Sequence, residues 1–288
     1  MMIDKEIEKT IANIKINRNK KNVLILSGGS FKGFAYIGVV KALKYLDLLK
    51  NINVFIGTSV GSIFSLLLSL TSCIEEIETF INKCDLNSLL NTNIKNLFYY
   101  YGLNDGNKIT SLLSDFLKQK NYNETLTFKE LYEQTNKILV VNSTNITKKQ
   151  NEIFNFYNTP DFEVIKAIRM SISIPLLFSP VAFGDCLYVD GGIIDSFMYS
   201  YGIKEYGKDK IIGVLLNDKI NKEKKYNFFC YFQDIYYSLY ANQTKEINFS
   251  EIINIEIDNC SITKTTITET EKKDLIDLGF KKTLEYFI

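Results

Sequence analysis

Phe55 to Leu70 reads FIGTSVGSIFSLLLSL: the end of an apolar run, Gly-Thr-Ser-Val-Gly, then a further apolar stretch. A serine between two glycines, where a strand turns sharply into a helix, is the layout of a nucleophile elbow that lifts the hydroxyl clear of a sheet. Gly57 and Gly61 lack Cβ and so let strand and helix approach closely. The first turn of the helix after Ser59 offers free N–H groups and the positive end of a dipole, both favourable to negative charge. The competing reading is a tight turn in which Ser59 only caps the helix, and on this short pattern alone the two stand level. A serine nucleophile ordinarily gives its proton to a histidine, and this chain contains none. A carboxylate is the plausible substitute, because Lys32 is the lone lysine near the motifs. YVDGGIIDSF, Tyr188 to Phe197, supplies one. Asp190 closes a short strand, and Gly191 and Gly192 permit close approach of another segment, here the elbow, so that Asp190 can act as general base. The bland alternative for this block is an ordinary Asp-Gly turn. SGGSFKG, Ser27 to Gly33, fits neither G-x-G-x-x-G nor G-x-x-x-x-G-K-[ST], which weakens a nucleotide-phosphate reading. An oxyanion hole fits better: a neighbouring strand end would bring the amides of Gly28 and Gly29 beside Ser59 Oγ, where such donors stabilise a transition state by about 3–4 kcal/mol.

These blocks need elements to hold them. Val23–Leu26 and Val54–Ile56 read as short buried strands, each followed by a glycine turn and a helical pattern, over Gly33–Leu49 and after Ser59. The series strand, helix, strand, helix implies a parallel sheet covered on both faces, with ligands at the carboxyl ends of the strands. Further strands are expected at Ile138–Val141, Ile153–Tyr157, Lys210–Leu216 and Ile252–Ile257, with a hairpin over Val181–Val189 turning at Gly184-Asp185. Helical spacing recurs over Asp161–Met170 and Lys272–Phe287. Leu86–Asn123 is expected to form a helical cap over the sheet. Ile7, Ile11 and Ile14 predict an amphipathic lead-in helix, so residues 1–22 are set apart from one domain over 23–288.

Composition narrows the function classes. With 288 residues, 46% of them hydrophobic, and only three prolines, the chain can bury a large core. A net charge of +1 gives no global field to recruit nucleic acid. Five scattered cysteines without a C-x-x-C pair read as reduced thiols of a cytoplasmic protein, and with no histidine they argue against a metal site. The first 21 residues carry no long apolar core of a secretory signal, and no apolar run is long enough to span a bilayer, so membrane contact is expected to be peripheral at most. The aromatics of Tyr226–Tyr240, preceded by Lys219, Lys222, Lys224 and Lys225, read first as a core-facing helix and second as a membrane anchor. Phe98-Tyr99-Tyr100-Tyr101 carries the same ambiguity and could edge an acyl pocket. Arg169 is expected to anchor backbone carbonyls.

Taken together, SGGSFKGFAYIGVVKAL, GTSVG and YVDGG resemble the glycine-rich block, the G-x-S-x-G elbow and the D-G-[GA] block of the patatin-like phospholipase family. GLNDGNKITSLL, TFKELY, NSTNITKKQNEIFN and TPDFEVIKAIRMSISIPLLFSPV are similar to stretches between those blocks, so the resemblance runs from about residue 23 to about 200. It implies a three-layer α/β/α sandwich with a mostly parallel sheet. It also implies a Ser–Asp dyad without cofactor or metal, and hydrolysis of phospholipids or other fatty-acyl esters. Ser59 carries over as nucleophile, Asp190 as base, and Gly28 and Gly29 as oxyanion donors, with Lys32 and Gly33 completing the block. Ser30 stands where the family often has glycine. A left-handed backbone there would cost roughly 1–2 kcal/mol, whereas an ordinary φ would let its amide join the oxyanion hole. Lys32 reads equally as a partner for lipid phosphate or as half of a structural salt bridge. An acyltransferase and a non-catalytic lipid-binding protein are the competing functions. A carboxylate near its ordinary value of about 3.9 is a weak base for an alcohol, so burial and the oxyanion hole must carry the rate and esters should be preferred to amides.

Overall fold

Four-residue apolar runs buried on both faces belong at the centre of a sheet. In the computed structural model, which describes residues 20–83, 94–219, 247–257 and 267–288 with 231, 235 and 238, Val23–Leu26 (β1) and Val54–Gly57 (β2) are such strands, every residue buried. The remaining strands are Gly102–Asn104 (β3), Ile138–Asn145 (β4), Gln150–Asn155 (β5), Leu176–Phe178 (β6), Val181–Phe183 (β7), Cys186–Asp190 (β8), Ile211–Asp218 (β9) and Ile253–Ile257 (β10). Eight of them form one sheet in the order β10-β9-β1-β2-β4-β8-β7, with β5 also on β4, while β3 and β6 pair separately. The five strands from β10 to β4 are mutually parallel; β5, β8 and β7 add antiparallel pairs.

Helices cover the sheet: Phe34–Tyr45 (α1), Val60–Leu70 (α2), Ile74–Lys83 (α3), Ile94–Tyr100 (α4), Asn107–Gln119 (α5), Phe128–Thr135 (α6), Val164–Ser171 (α7), Tyr199–Tyr206 (α8) and Glu269–Phe287 (α9). Strand side chains alternate between two cores with the period of two that the pleat imposes. Leu24, Leu26, Phe55, Val141 and Leu216 join the larger core under α1, α2, α5, α7 and α9. Val23, Ile25, Val54, Ile56 and Leu215 join a smaller one with Phe197, Met198 and Tyr199 at the start of α8. The protein is thus a three-layer α/β/α sandwich. Across the larger face α1 and α9 meet through glycines: a Cβ on Gly38 would lie 1.8 Å from the Ile276 carbonyl oxygen, and one on Gly279 2.0 Å from that of Ala35.

Several boundaries differ from the sequence expectation. α1 stops at Tyr45 rather than Leu49 because Asp47 takes φ 59° and the Leu48 amide turns back to the Leu43 carbonyl, a Schellman closure. β4 continues four residues beyond Val141, and the added Asn142-Ser143-Thr144-Asn145 is polar yet buried. β5 is shifted toward Gln150 because it pairs with that polar half. The expected cap over 86–123 is replaced, among its described residues, by α4, β3 and α5, and α5 sits in the larger core through Ile109, Leu113, Phe116 and Leu117. The lead-in helix lies outside the described residues, as does most of Tyr226–Tyr240.

One consequence of register positions the site. Val140–Asn145 pair with β5 along one edge of β4. β2 (Gly57 opposite Val141) and β8 (Asp190 opposite Ser143) therefore both lie along the other edge. β2 runs up that edge and β8 runs down it, so their ends face each other across about 7 Å of strand.

Candidate active site

At the end of β2 the chain turns into α2 through Ser59, whose backbone sits at φ 53°, ψ −124°. A non-glycine residue there carries strain of about 1–3 kcal/mol and persists only where its surroundings over-determine it. Gly57 and Gly61 provide the closeness: a Cβ on Gly57 would lie 2.2 Å from the Gly61 carbonyl oxygen, and one on Gly61 2.3 Å from that of Leu26. The Ser59 carbonyl accepts from the Ser62 amide at 2.8 Å and the Ser62 hydroxyl at 2.6 Å, and its amide donates to Ser171 Oγ at 2.9 Å. The Ser59 hydroxyl does not cap the helix. It donates to Asp190 Oδ2 at 2.6 Å. That is a short O–H···O hydrogen bond, with the hydroxyl proton directed at the carboxyl oxygen.

Asp190 ends β8 fully buried. Its Oδ1 accepts the Gly192 amide at 2.8 Å, and its own amide donates to the Ser173 carbonyl at 2.9 Å. The two glycines after it act differently from expectation. Gly191 is pressed on Asn142 of β4, where a Cβ would lie 2.6 Å from Oδ1, rather than on the elbow; Gly192 serves through its amide. Asn142 ties the two ends together: Oδ1 accepts the Thr58 hydroxyl at 2.8 Å, and Nδ2 donates to the Asp195 carbonyl at 2.7 Å. Asp195 lies in the same loop, and burial pushes its carboxyl up to about 6 although the Phe197 amide donates to it.

The glycine-rich loop follows β1 and lies against the elbow, a Cβ on Gly28 being 3.5 Å from Ser59 Cβ. Its details revise two expectations. The Gly28 amide donates to the Ser196 carbonyl at 2.9 Å, so of the expected oxyanion donors this one is already engaged. Ser30 adopts φ 50°, the left-handed alternative. Ser30–Gly33 form a single 3-10 turn in which the Lys32 amide returns to the Gly29 carbonyl, and Gly33 fits against Val60, the first residue of α2. Lys32 is buried and its ammonium pairs with Asp218 at 2.9 Å, the salt-bridge alternative. Ser27 locks the loop to the sheet: its hydroxyl accepts the Leu216 amide at 3.0 Å and its carbonyl accepts the Tyr36 hydroxyl at 2.6 Å.

Arg169 anchors carbonyls as expected, with Nε and Nη2 donating to Asp105 and Nη2 also to Ser179. Burial lowers its guanidinium to about 10, still protonated at neutral pH. Phe98, Tyr99, Tyr100 and Tyr101 are exposed. Among the described residues no three His, Cys, Asp or Glu side chains are placed to hold a metal, and no helix is long and apolar enough to cross a membrane. Sequence reasoning missed Asn142, Asp195 and Ser171. The signal for Asn142 was the polar run NSTN inside an otherwise apolar strand.

The family model described as patatin-like phospholipase matches residues 24–201. A probable lipid hydrolase, 463L of Invertebrate iridescent virus 6, is 35% identical over 190 residues, an alignment that spans 64% of this chain and 64% of that protein. The uncharacterized protein YqhO of Bacillus subtilis is 26% identical over 283 residues, covering 90% of this chain and 95% of the relative. Among solved structures, VipD from Legionella pneumophila superposes with a TM-score of 0.72 at 17% identity, over 93% of this chain and 67% of that one, a likeness of fold.

Proposed function

We propose that this chain, which belongs to the patatin-like phospholipase family, is a serine acyl hydrolase that cleaves fatty-acyl esters of phospholipids or lysophospholipids with Ser59 and Asp190. The observation that carries the reading is the 2.6 Å hydrogen bond between the two side chains, delivered from strand ends that face each other beside β4. Ser59 Oγ attacks the ester carbonyl as Asp190 Oδ2 takes its proton, and the electron pair of the C=O bond moves to oxygen. The Gly29 amide, with the start of α2, faces the developing charge; Gly28 shapes the loop from behind its bond to Ser196. Collapse of the tetrahedral species breaks the ester C–O bond, and Asp190 returns the proton to the departing alcohol. A water molecule then attacks the acyl-serine by the same route, its proton passing to Asp190 and back to Ser59. The Gly192 amide on Oδ1 holds the carboxylate so that Oδ2 faces the hydroxyl throughout. Gly57, Gly61 and Gly33 set the closeness of elbow, helix and loop, and Lys32 braces the loop through Asp218. The hydrolase domain begins at β1, and its substrate reaches the site from a membrane surface contacted peripherally. No metal or cofactor enters this scheme.

The test is turnover of a p-nitrophenyl fatty-acyl ester, with labelling by a fluorophosphonate located by mass spectrometry. Ser59→Ala and Asp190→Asn should each lower kcat by about a thousandfold or more with the fold unchanged by circular dichroism. Undiminished turnover in Asp190→Asn, or a label on a residue other than Ser59, would dispose of the dyad.

A further inference from the structure

Behind the site one short segment grips both members of the dyad. Ser171, the last residue of α7, accepts the Ser59 amide on its hydroxyl at 2.9 Å; two residues later the Ser173 carbonyl accepts the Asp190 amide at 2.9 Å. Both serines are fully buried. We propose that Ser171 is a positioning residue for the nucleophile: by accepting that amide it keeps Ser59 in the left-handed backbone that sets Oγ against Asp190. This rests on the Ser59–Asp190 reading above.

Successive amides of a strand face opposite edges, so where the Thr58 amide donates to the Leu26 carbonyl on β1 the Ser59 amide points the other way, past Gly57, where the pairing of β2 with β4 ends. A buried amide without an acceptor is strongly disfavoured. The Ser171 hydroxyl is the acceptor that the structure provides for it. Without it, the elbow regains a partner for that amide only by rotating about the peptide, and rotation there swings Oγ off Asp190. The segment that makes this contact is itself a fixed reference. Arg169 donates to the Ser173 hydroxyl, to the Asp105 carbonyl and to the Ser179 carbonyl, and the Ser173 hydroxyl donates back to the Arg169 carbonyl at 2.7 Å. Gly106, at φ 73°, lets the Asp105 turn press on the guanidinium, where a Cβ would lie 2.3 Å from Nε. Base and nucleophile are therefore hung from two points of one braced chain segment, two residues apart. The distance between them is set by covalent geometry rather than by the reach of two independent loops.

Ser171 touches neither ester nor oxyanion in this scheme, so its loss should change the rate of the bond-making step and not substrate binding. The experiment measures kcat and KM for a p-nitrophenyl acyl ester, the rate of fluorophosphonate labelling, and the melting temperature of the full chain. Ser171→Ala should lower kcat and the labelling rate together by about 10- to 100-fold, the usual penalty for a reacting group displaced by an ångström or less, with KM held within about twofold. Ser171→Thr, which keeps the hydroxyl acceptor, should restore kcat to within about threefold. A folded Ser171→Ala with a lower melting temperature but wild-type kcat, or with KM raised and kcat intact, overturns the positioning role. Should Ser171→Ala fail to fold, hydrogen exchange of the unsubstituted protein decides. Protection of the Ser59 amide equal to that of the β1 and β2 amides supports the contact, and exchange as fast as in an exposed turn overturns it. Ser59→Ala separates the two ideas: activity persisting there removes the dyad itself, whereas activity lost there but intact in Ser171→Ala removes Ser171 alone.

Discussion

Asp195 offers a quantitative test of the environment behind the site. Burial lifts its carboxyl from the ordinary 3.8 to about 6 against the opposing pull of the Phe197 amide. The folded value lies above the unfolded one, so between about pH 4 and pH 6 the native state holds more protons than the unfolded chain. Stability must then fall as pH rises through that window and level off above it. At about 1.4 kcal/mol per pH unit, the ionised carboxyl costs the native state on the order of 3 kcal/mol at pH 8. Asp195→Asn removes the charge and keeps an oxygen that can accept the Phe197 amide. The variant should therefore be more stable than the wild type by on the order of 2–3 kcal/mol at pH 8 and equal to it at pH 4. The assay is urea unfolding followed by far-UV circular dichroism at both pH values, since the chain has no tryptophan to serve as a fluorescence probe. Comparing the variant with the wild type at each pH cancels every other titrating group. A difference that is the same at pH 4 and pH 8, or a variant less stable at pH 8, would refute the placement of a buried carboxyl in that loop.

Other substitutions probe the framework. Gly61→Ala would thrust a methyl group within 2.3 Å of the Leu26 carbonyl oxygen and force α2 off β1; chemical unfolding should show a loss of about 1–3 kcal/mol, accompanied by a drop in ester turnover. Arg169→Lys replaces a fork serving three acceptors with a single ammonium, leaving the part-buried carbonyl of Asp105 or Ser179 without its donor; a loss of about 1–3 kcal/mol is expected in the same measurement.

The parts of this protein legible in its sequence were those whose physics is local. β1, β2 and the β7–β8 hairpin follow from short apolar or alternating runs between glycine turns. The absence of histidine left a carboxylate as the partner for Ser59, and Asp190 is in contact with it. What escaped notice depends on register. That β4 extends into NSTN, and so brings the ends of β2 and β8 onto one edge, follows from pairing with β5 and β8 rather than from any propensity of those polar residues. The engagement of Gly28 by Ser196 and the grip of Ser171 on Ser59 each join residues far apart in the chain. The backbone angle at Ser30 and the partner of Lys32 are each open in the sequence, and the φ of 50° and the contact with Asp218 decide them for the left-handed form and the salt bridge.

The crossing of α1 and α9 at Gly38 and Gly279 has a mechanical corollary. α1 starts at Phe34, one peptide after the glycine-rich loop closes at Gly33, and Lys272 of α9 sits 5.5 Å above the Phe34 ring. Backbone rests on backbone where the two helices cross, leaving no side-chain cushion to absorb a tilt. α9 is thereby a handle on the loop beside Ser59: whatever levers that helix outward also drags the hinge of that loop, far away in the sequence.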